Sequence, residues 1–328
     1  MATRGNRKAL PRSWRFSDAS RAGAGVSAFN ELPLEAYPDA LLADVSPDHV
    51  YSRATARVLC WMAQLVYESD PAKIETVARR TGFEAPALFN RRVEGPLPLA
   101  DTKGMRVEGR HAVVLAFAGT DPVNAVNWIT NFNVGLRADG LHRGFLIAAD
   151  AVFVEARAAF DLARERGKAL FVAGHSLGGA IAALTVSRLR RDAGALVEGV
   201  YTYGMPRAGR NKLLDLWGDE LGARTFRHVH GIDIVPTLPA PELGFRQDGR
   251  LVSCARYARF PDEALADWTS NEPSSGAALA NGVAEQWKNF RQGGSFHDAE
   301  AKRRGLVYPD LPPGVSDHLP DRYLLALA

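Results

Sequence analysis

A chain of 328 residues with 46% hydrophobic content is long enough to bury a large core, and one α/β domain of this size is ordinary. Forty Lys and Arg against 37 Asp and Glu leave a formal net charge of +3, too balanced for the electrostatic footprint of a polyanion binder, so no nucleic-acid partner is expected. Two cysteines, Cys60 and Cys254, lie far apart and match no metal-ligand spacing, so a buried free thiol is expected at Cys60, no metal or other cofactor is expected, and packing must supply the stability.

No run approaches the ~18 apolar residues of a membrane helix, so no transmembrane segment is expected. The opening stretch MATRGNRKALPRSWRFSDAS has positive charge without a following apolar run. It is unlike a Sec-type signal peptide and points to a cytoplasmic protein, although a chain that had lost its leader or used a non-Sec route would read the same way.

Residues 1–50 mix Arg, Gly, Ser and Pro without a sustained period and read as an N-terminal extended arm ahead of one folded domain over 51–328. Ala54, Val58, Trp61, Met62, Leu65 and Val66 recur at helical spacing, and Ser69-Asp70-Pro71 then stops that helix and caps a second. Short edge strands are expected around Leu88 to Val93 and Met105 to Val107. His111 to Ala118 is a continuous apolar run, as in a strand buried on both faces, and Gly119-Thr120-Asp121-Pro122 breaks it. Phe145, Ala149, Val152, Phe153, Ala156, Phe160 and Ala163 form one helical stripe ending at Gly167. Next come a strand at Leu170 to Ala173, an alanine-rich helix, a strand at Gly199 to Tyr203, a helix near Arg210 to Trp217, and a strand at Arg224 to His230. Beyond it lie a strand at Arg250 to Tyr257 and a polar helix near Gly282 to Phe290. The alternation predicts an α/β fold, a mostly parallel central sheet with helices on both faces.

Between the strand ending at Ala173 and the alanine-rich helix stands Gly174-His175-Ser176-Leu177-Gly178. Strand, sharp turn and helix form the context of a nucleophile elbow, where the residues two before and two after the serine must be small because the turn presses them together. A serine hydroxyl becomes a nucleophile only when a histidine takes its proton and an acid holds that histidine in the right tautomer. In the α/β-hydrolase order of Ser, then acid, then His, Asp233 fits as the acid: it follows a strand, 57 positions after Ser176. Only His297 and His318 lie downstream of it, and His318, just before the apolar Tyr323-Leu324-Leu325, is the better-anchored base. His142, His175, His228 and His230 read as structural. An oxyanion needs fixed N–H donors; Leu177 follows the nucleophile, and Thr120 follows the earlier strand with Gly119 letting the backbone approach. Because the base must be neutral to accept a proton, activity is expected to fall on acidification.

These residues resemble the fungal-type, or class 3, triacylglycerol lipases. The resemblance is carried by FAGT (Phe117 to Thr120), NWI (Asn127 to Ile129), HRGF (His142 to Phe145), GHSLGGA (Gly174 to Ala180), YGMPRAG (Tyr203 to Gly209), DIVPTLP (Asp233 to Pro239) and DHLPDRYL (Asp317 to Leu324), in the family's order. It implies the α/β-hydrolase fold, a Ser176-Asp233-His318 triad with Thr120 and Leu177 as oxyanion donors, and a lid over Pro122 to Val134 whose apolar side is Val123, Val126, Trp128, Ile129 and Phe132. The chain departs from the family at Ala118, where arginine is usual, and in the 85 positions between Asp233 and His318. The expected activity is hydrolysis of lipid-like esters such as triacylglycerols through an acyl-enzyme, on a lipid or small-molecule ester substrate that can sit at a lipid–water interface. The alternatives are a phospholipase A1 or soluble-ester esterase and, from another class, a non-catalytic lipid-responsive binding protein.

Overall fold

The computed structural model describes residues 31–92, 101–120, 142–209, 219–239, 241–247, 249–263 and 313–328. Seven strands lie side by side in the order in which the chain makes them: β1 (Glu84–Arg92), β2 (Asp101–Glu108), β3 (Ala112–Phe117), β4 (Ala169–His175), β5 (Gly199–Tyr203), β6 (Thr225–His230) and β7 (Arg250–Cys254). β1, β2 and β3 pair antiparallel, and every pairing from β3 to β7 is parallel. Pro86 is tolerated because β1 is an edge strand, and the ladder is interrupted there by a register shift between Glu84 and Ala87.

β3 is fully buried because its side chains alternate between two cores. Val113, Leu115 and Phe117 join Leu170 and Val172 of β4 on one face, whereas Ala112, Val114 and Ala116 join Phe171 and Ala173 on the other. Parallel neighbours in sequential order, linked by right-handed crossovers, place all their connecting helices on the same face. α3 (Arg143–Ala151), α4 (Phe153–Arg166) and α5 (Leu177–Ala193) accordingly fill the first core. The second face would be left bare, and the two ends of the described chain cover it: α1 (Arg53–Leu65), α2 (Pro71–Arg80) and, after the short α6 (Pro313–Ser316), α7 (Pro320–Leu327).

The sequence signals account for most of these elements. Val58, Trp61, Met62 and Leu65 on α1 are buried, and Asp70 caps α2 by accepting the N–H of Ala72 with Pro71 in the first turn. Two expectations need correction. The stripe over Phe145 to Ala163 is two helices, broken at Val152 with no glycine or proline to mark the break. β7 ends at Cys254 rather than Tyr257, because a turn closed by Ala258 N–H on Ala255 O intervenes and Tyr257 takes a φ of 66°. The expected helices near Arg210 to Trp217 and Gly282 to Phe290 lie outside the described residues.

Of the expected N-terminal arm, residues 31–50 are described. Short 3₁₀ turns at Leu34–Ala36 and Leu41–Asp44 bring Leu32, Tyr37 and Leu41 into the second core. The carboxylate of Glu68, 4% exposed, fastens this segment: its Oε1 accepts Leu32 N–H at 2.8 Å and Tyr37 O–H at 2.6 Å, and its Oε2 pairs with Lys73 Nζ at 2.5 Å.

Candidate active site

Ser176 is the single residue between the end of β4 and the start of α5, and it sits at φ 56° and ψ −128°. A side-chain-bearing residue pays on the order of 1–3 kcal/mol for such a conformation, so the surroundings must over-determine it. They do: Ser176 N–H donates to Tyr203 O at 2.8 Å and Ser176 O accepts Gly179 N–H at 2.9 Å. The turn is also closed so tightly that a Cβ on Gly174 would lie 2.2 Å from Gly178 O, and one on Gly178 would lie 2.4 Å from Phe117 O. Both glycines are required by close backbone approach, as the sequence pattern predicts.

The ends of the parallel strands gather the rest. Ser176 follows β4, Asp233 follows β6 after Gly231 and Ile232, and His318 lies between α6 and α7. His318 Nε2 is 2.8 Å from Ser176 Oγ, and His318 Nδ1 is 2.9 Å from Asp233 Oδ2. A carboxylate only accepts, so Nδ1 carries the proton and the lone pair of Nε2 faces the serine hydroxyl. The three residues are 2–4% exposed.

Asp233 is held by more than the histidine. Its Oδ1 accepts Val235 N–H at 2.9 Å, and its Oδ2 also accepts the hydroxyl of Tyr323 at 2.5 Å. Burial, then the charge of Asp233, pushes the Tyr323 phenol well above its ordinary range, so it stays a donor. Sequence reasoning took Tyr323 only as part of an apolar anchor; the motif DHLPDRYL was the available signal. Asp317 was missed as well. Its Oδ2 accepts Ile232 N–H at 3.0 Å and its Oδ1 accepts Arg256 Nε–H at 2.9 Å, so the residue before His318 ties down the turn that carries Asp233.

Thr120 follows Gly119 just beyond β3, and a Cβ on Gly119 would lie 2.6 Å from Ser176 Cβ, so this loop abuts the elbow. Leu177 opens α5 and is buried. Ala118, where the resembled family has arginine, packs into the second core. The remaining histidines read as structural do other work. His142 accepts Phe145 N–H to cap α3, and burial lowers its pKa to about 4. His228 Nδ1 lies 3.1 Å from Thr202 O. His175 engages Tyr67 and the carbonyl of His318. Among the described residues no three His, Cys, Asp or Glu side chains converge as metal ligands would, and no helix is long and apolar enough to cross a membrane. The expected lid side chains Val123, Val126, Trp128, Ile129 and Phe132, and the competing base His297, lie outside the described residues.

Residues 114–243 match the model of the family "Lipase (class 3)". The secreted mono- and diacylglycerol lipase 1 of Fusarium solani is 37% identical over 145 residues, 42% of this chain and 42% of that protein. Triacylglycerol lipase OBL1 of Arabidopsis thaliana is 30% identical over 277 residues, covering 65% of this chain and 52% of the relative. The chain thus spans about half or less of the curated relatives it matches. Among solved structures, lipase II from Rhizopus niveus superposes with a TM-score of 0.54 at 20% identity, covering 70% of this chain and 91% of that one, a likeness of fold.

The Fusarium relative is secreted by its name, and that finding overturns the expectation of a cytoplasmic protein. That expectation rested on the missing apolar run near Met1, and a short stretch of chain without such a run carries no information about compartment. With the elbow, the seven-stranded sheet and the match over 114–243 taken together, this part of the chain is similar to the class 3 lipases.

Proposed function

We propose that this chain hydrolyses lipid-like carboxylic esters, with Ser176 as nucleophile, His318 as general base and acid, Asp233 as the acid that orients it, and the N–H groups of Thr120 and Leu177 as oxyanion donors. The observation that carries the reading is the hydrogen-bonded line from Ser176 Oγ to His318 Nε2 at 2.8 Å and from His318 Nδ1 to Asp233 at 2.9 Å. Ser176 Oγ attacks the ester carbonyl as its proton passes to Nε2, and the carbonyl oxygen takes the negative charge. The same proton then goes to the leaving alcohol oxygen as the ester C–O bond breaks. Water, deprotonated by His318, adds to the acyl-enzyme and releases the acid and Ser176.

Acylglycerols are the proposed substrate class, since the relatives are named mono- and diacylglycerol lipase and triacylglycerol lipase. The apolar series Val123, Val126, Trp128, Ile129 and Phe132 supports a lid over Pro122 to Val134 that opens at a lipid surface. Residues 51–328 would form the catalytic domain.

A panel of triglycerides, phospholipids and p-nitrophenyl esters of graded chain length tests the reading directly, each across its solubility limit. Ser176→Ala is expected to lose on the order of a million-fold in kcat, as such knockouts do in other serine hydrolases. Turnover near wild type in that variant, or a serine-directed fluorophosphonate that leaves Ser176 unlabelled, would sink the assignment. A rate that does not rise above the solubility limit would remove the lid.

A further inference from the structure

Tyr67 and His175 stand beside the line of reacting groups, and the mechanism above gives neither a step. His175 Nε2 is 2.7 Å from the carbonyl oxygen of His318. A carbonyl only accepts, so Nε2 carries a proton. The ring is buried, and burial, reinforced by the nearby His318, holds it well below the ordinary histidine range, so it is neutral and its Nδ1 offers a lone pair. Tyr67 Oη, 2.7 Å from Nδ1, therefore donates to it. The same oxygen accepts Gly119 N–H at 2.7 Å. The hydrogen bonds run in one sense, from Gly119 N–H to Tyr67, from Tyr67 to His175, and from His175 to the backbone of His318.

We infer that Tyr67 and His175 are positioning residues that set the Gly119-Thr120 backbone against Ser176 and tie it to the backbone that carries His318. The inference rests on the ester-hydrolase reading. Gly119 has little freedom elsewhere, since a Cβ there would lie 2.6 Å from both Tyr67 Oη and Ser176 Cβ. Its N–H is consumed by Tyr67, which fixes the Ala118–Gly119 peptide, one link before the peptide that carries the Thr120 N–H. The N–H groups of Thr120 and Leu177 have no protein acceptor among the described residues, as donors reserved for an oxyanion should not. The relay thus connects the loop that would stabilise the charge to the residue that would move the proton.

The test uses the full chain, p-nitrophenyl butyrate as substrate and an alkyl trifluoromethyl ketone, which adds to the serine oxygen and presents an oxyanion. Tyr67→Phe keeps the ring and removes the hydroxyl; His175→Leu removes donor and acceptor; His175→Gln keeps one of each. Tyr67→Phe and His175→Leu are expected to lower kcat about 10- to 100-fold and to weaken the ketone's Ki by the same factor, with KM within about 3-fold, because the lost interaction belongs to the transition state. His175→Gln should recover most of that loss. Tyr67→Phe decides the matter if His175→Leu does not fold, its thermal midpoint being measured alongside. Unchanged kcat and Ki in Tyr67→Phe, or a kcat loss that Ki does not follow, overturns the inference while Ser176-dependent turnover of the wild type keeps the hydrolase reading. A wild type that turns over no ester, or does so equally well as Ser176→Ala, overturns both.

Discussion

Acid should destabilise this protein in part through His228, and the size of that contribution can be worked out. His228 lies on β6 with Tyr201, Tyr203 and Phe260 around its ring, 1% exposed. Its Nδ1 donates to Thr202 O at 3.1 Å, and Tyr51 Oη lies 3.3 Å from Nε2. Burial lowers its pKa to about 3, the backbone hydrogen bonds to Thr202 and Phe226 offsetting only part of that. In the unfolded chain the same ring titrates near ~6.5. A depressed folded value means that the unfolded state binds the extra proton, so stability is whole above ~6.5 and is lost as pH falls toward about 3. Between pH 7 and pH 5 the loss from this one side chain is about 2 kcal/mol, at roughly 1.4 kcal/mol per pH unit once the unfolded histidine is mostly charged. The assay is urea unfolding at both pH values for the wild type and for His228→Asn, which keeps a donor for Thr202 O and does not titrate. The variant loses packing at both pH values, but that loss cancels in the double difference. A pH 7 to pH 5 loss that differs between the two proteins by less than about 0.5 kcal/mol would refute the reasoning.

Three further outcomes follow from the geometry. Tyr323→Phe removes a charge-assisted hydrogen bond to Asp233 Oδ2, worth ~1.5–3 kcal/mol in general, and should lower kcat about 10-fold or more with KM little changed, as steady-state kinetics will read. Gly174→Ala drives a methyl to 2.2 Å from a backbone oxygen that cannot rotate away, so a loss of at least about 3 kcal/mol in chemical denaturation, or failure to fold, is expected. Glu68→Leu leaves Tyr37 O–H, Leu32 N–H and Lys73 without their shared acceptor, at a typical cost of ~3–5 kcal/mol for breaking a buried pair, and limited proteolysis should then cut within residues 31–44.

What the sequence made legible was whatever a local pattern encodes. β3 reads as buried on both faces because its apolar run is unbroken, and the elbow reads as an elbow because glycine is the only residue that fits at 174 and 178. Asp233 and His318 could be picked out because the α/β-hydrolase order of Ser, acid and His leaves few candidates, and the structure brings both residues into one hydrogen-bonded line with Ser176. Tyr67 was not, because its partner His175 is 108 positions away and no period or spacing announces a hydrogen bond formed only when α1 lies over β4. Asp317 was hidden for a similar reason: it reads as the polar neighbour of His318 until Ile232 and Arg256 are brought to it. The break at Val152 had no local signal, since the apolar stripe continues across it.

The same topology explains why these hidden residues come from where they do. A sheet whose parallel strands run in sequential order receives its crossover helices on one face, so the chain ends must cover the other. α1 and α7 meet the obligation, packing against each other and against the sheet. α1 ends two residues before Tyr67, which reaches His175 and Gly119, and α7 carries Tyr323, which reaches Asp233. Each segment brings a phenol to one side of the candidate site: Tyr67 to the Gly119-Thr120 loop, Tyr323 to Asp233. Burying the apolar side of the sheet and positioning the groups of the candidate site are therefore one structural act. A substitution that loosens α1 against α7 should act on both sides of the site at once, although it touches neither Ser176 nor His318.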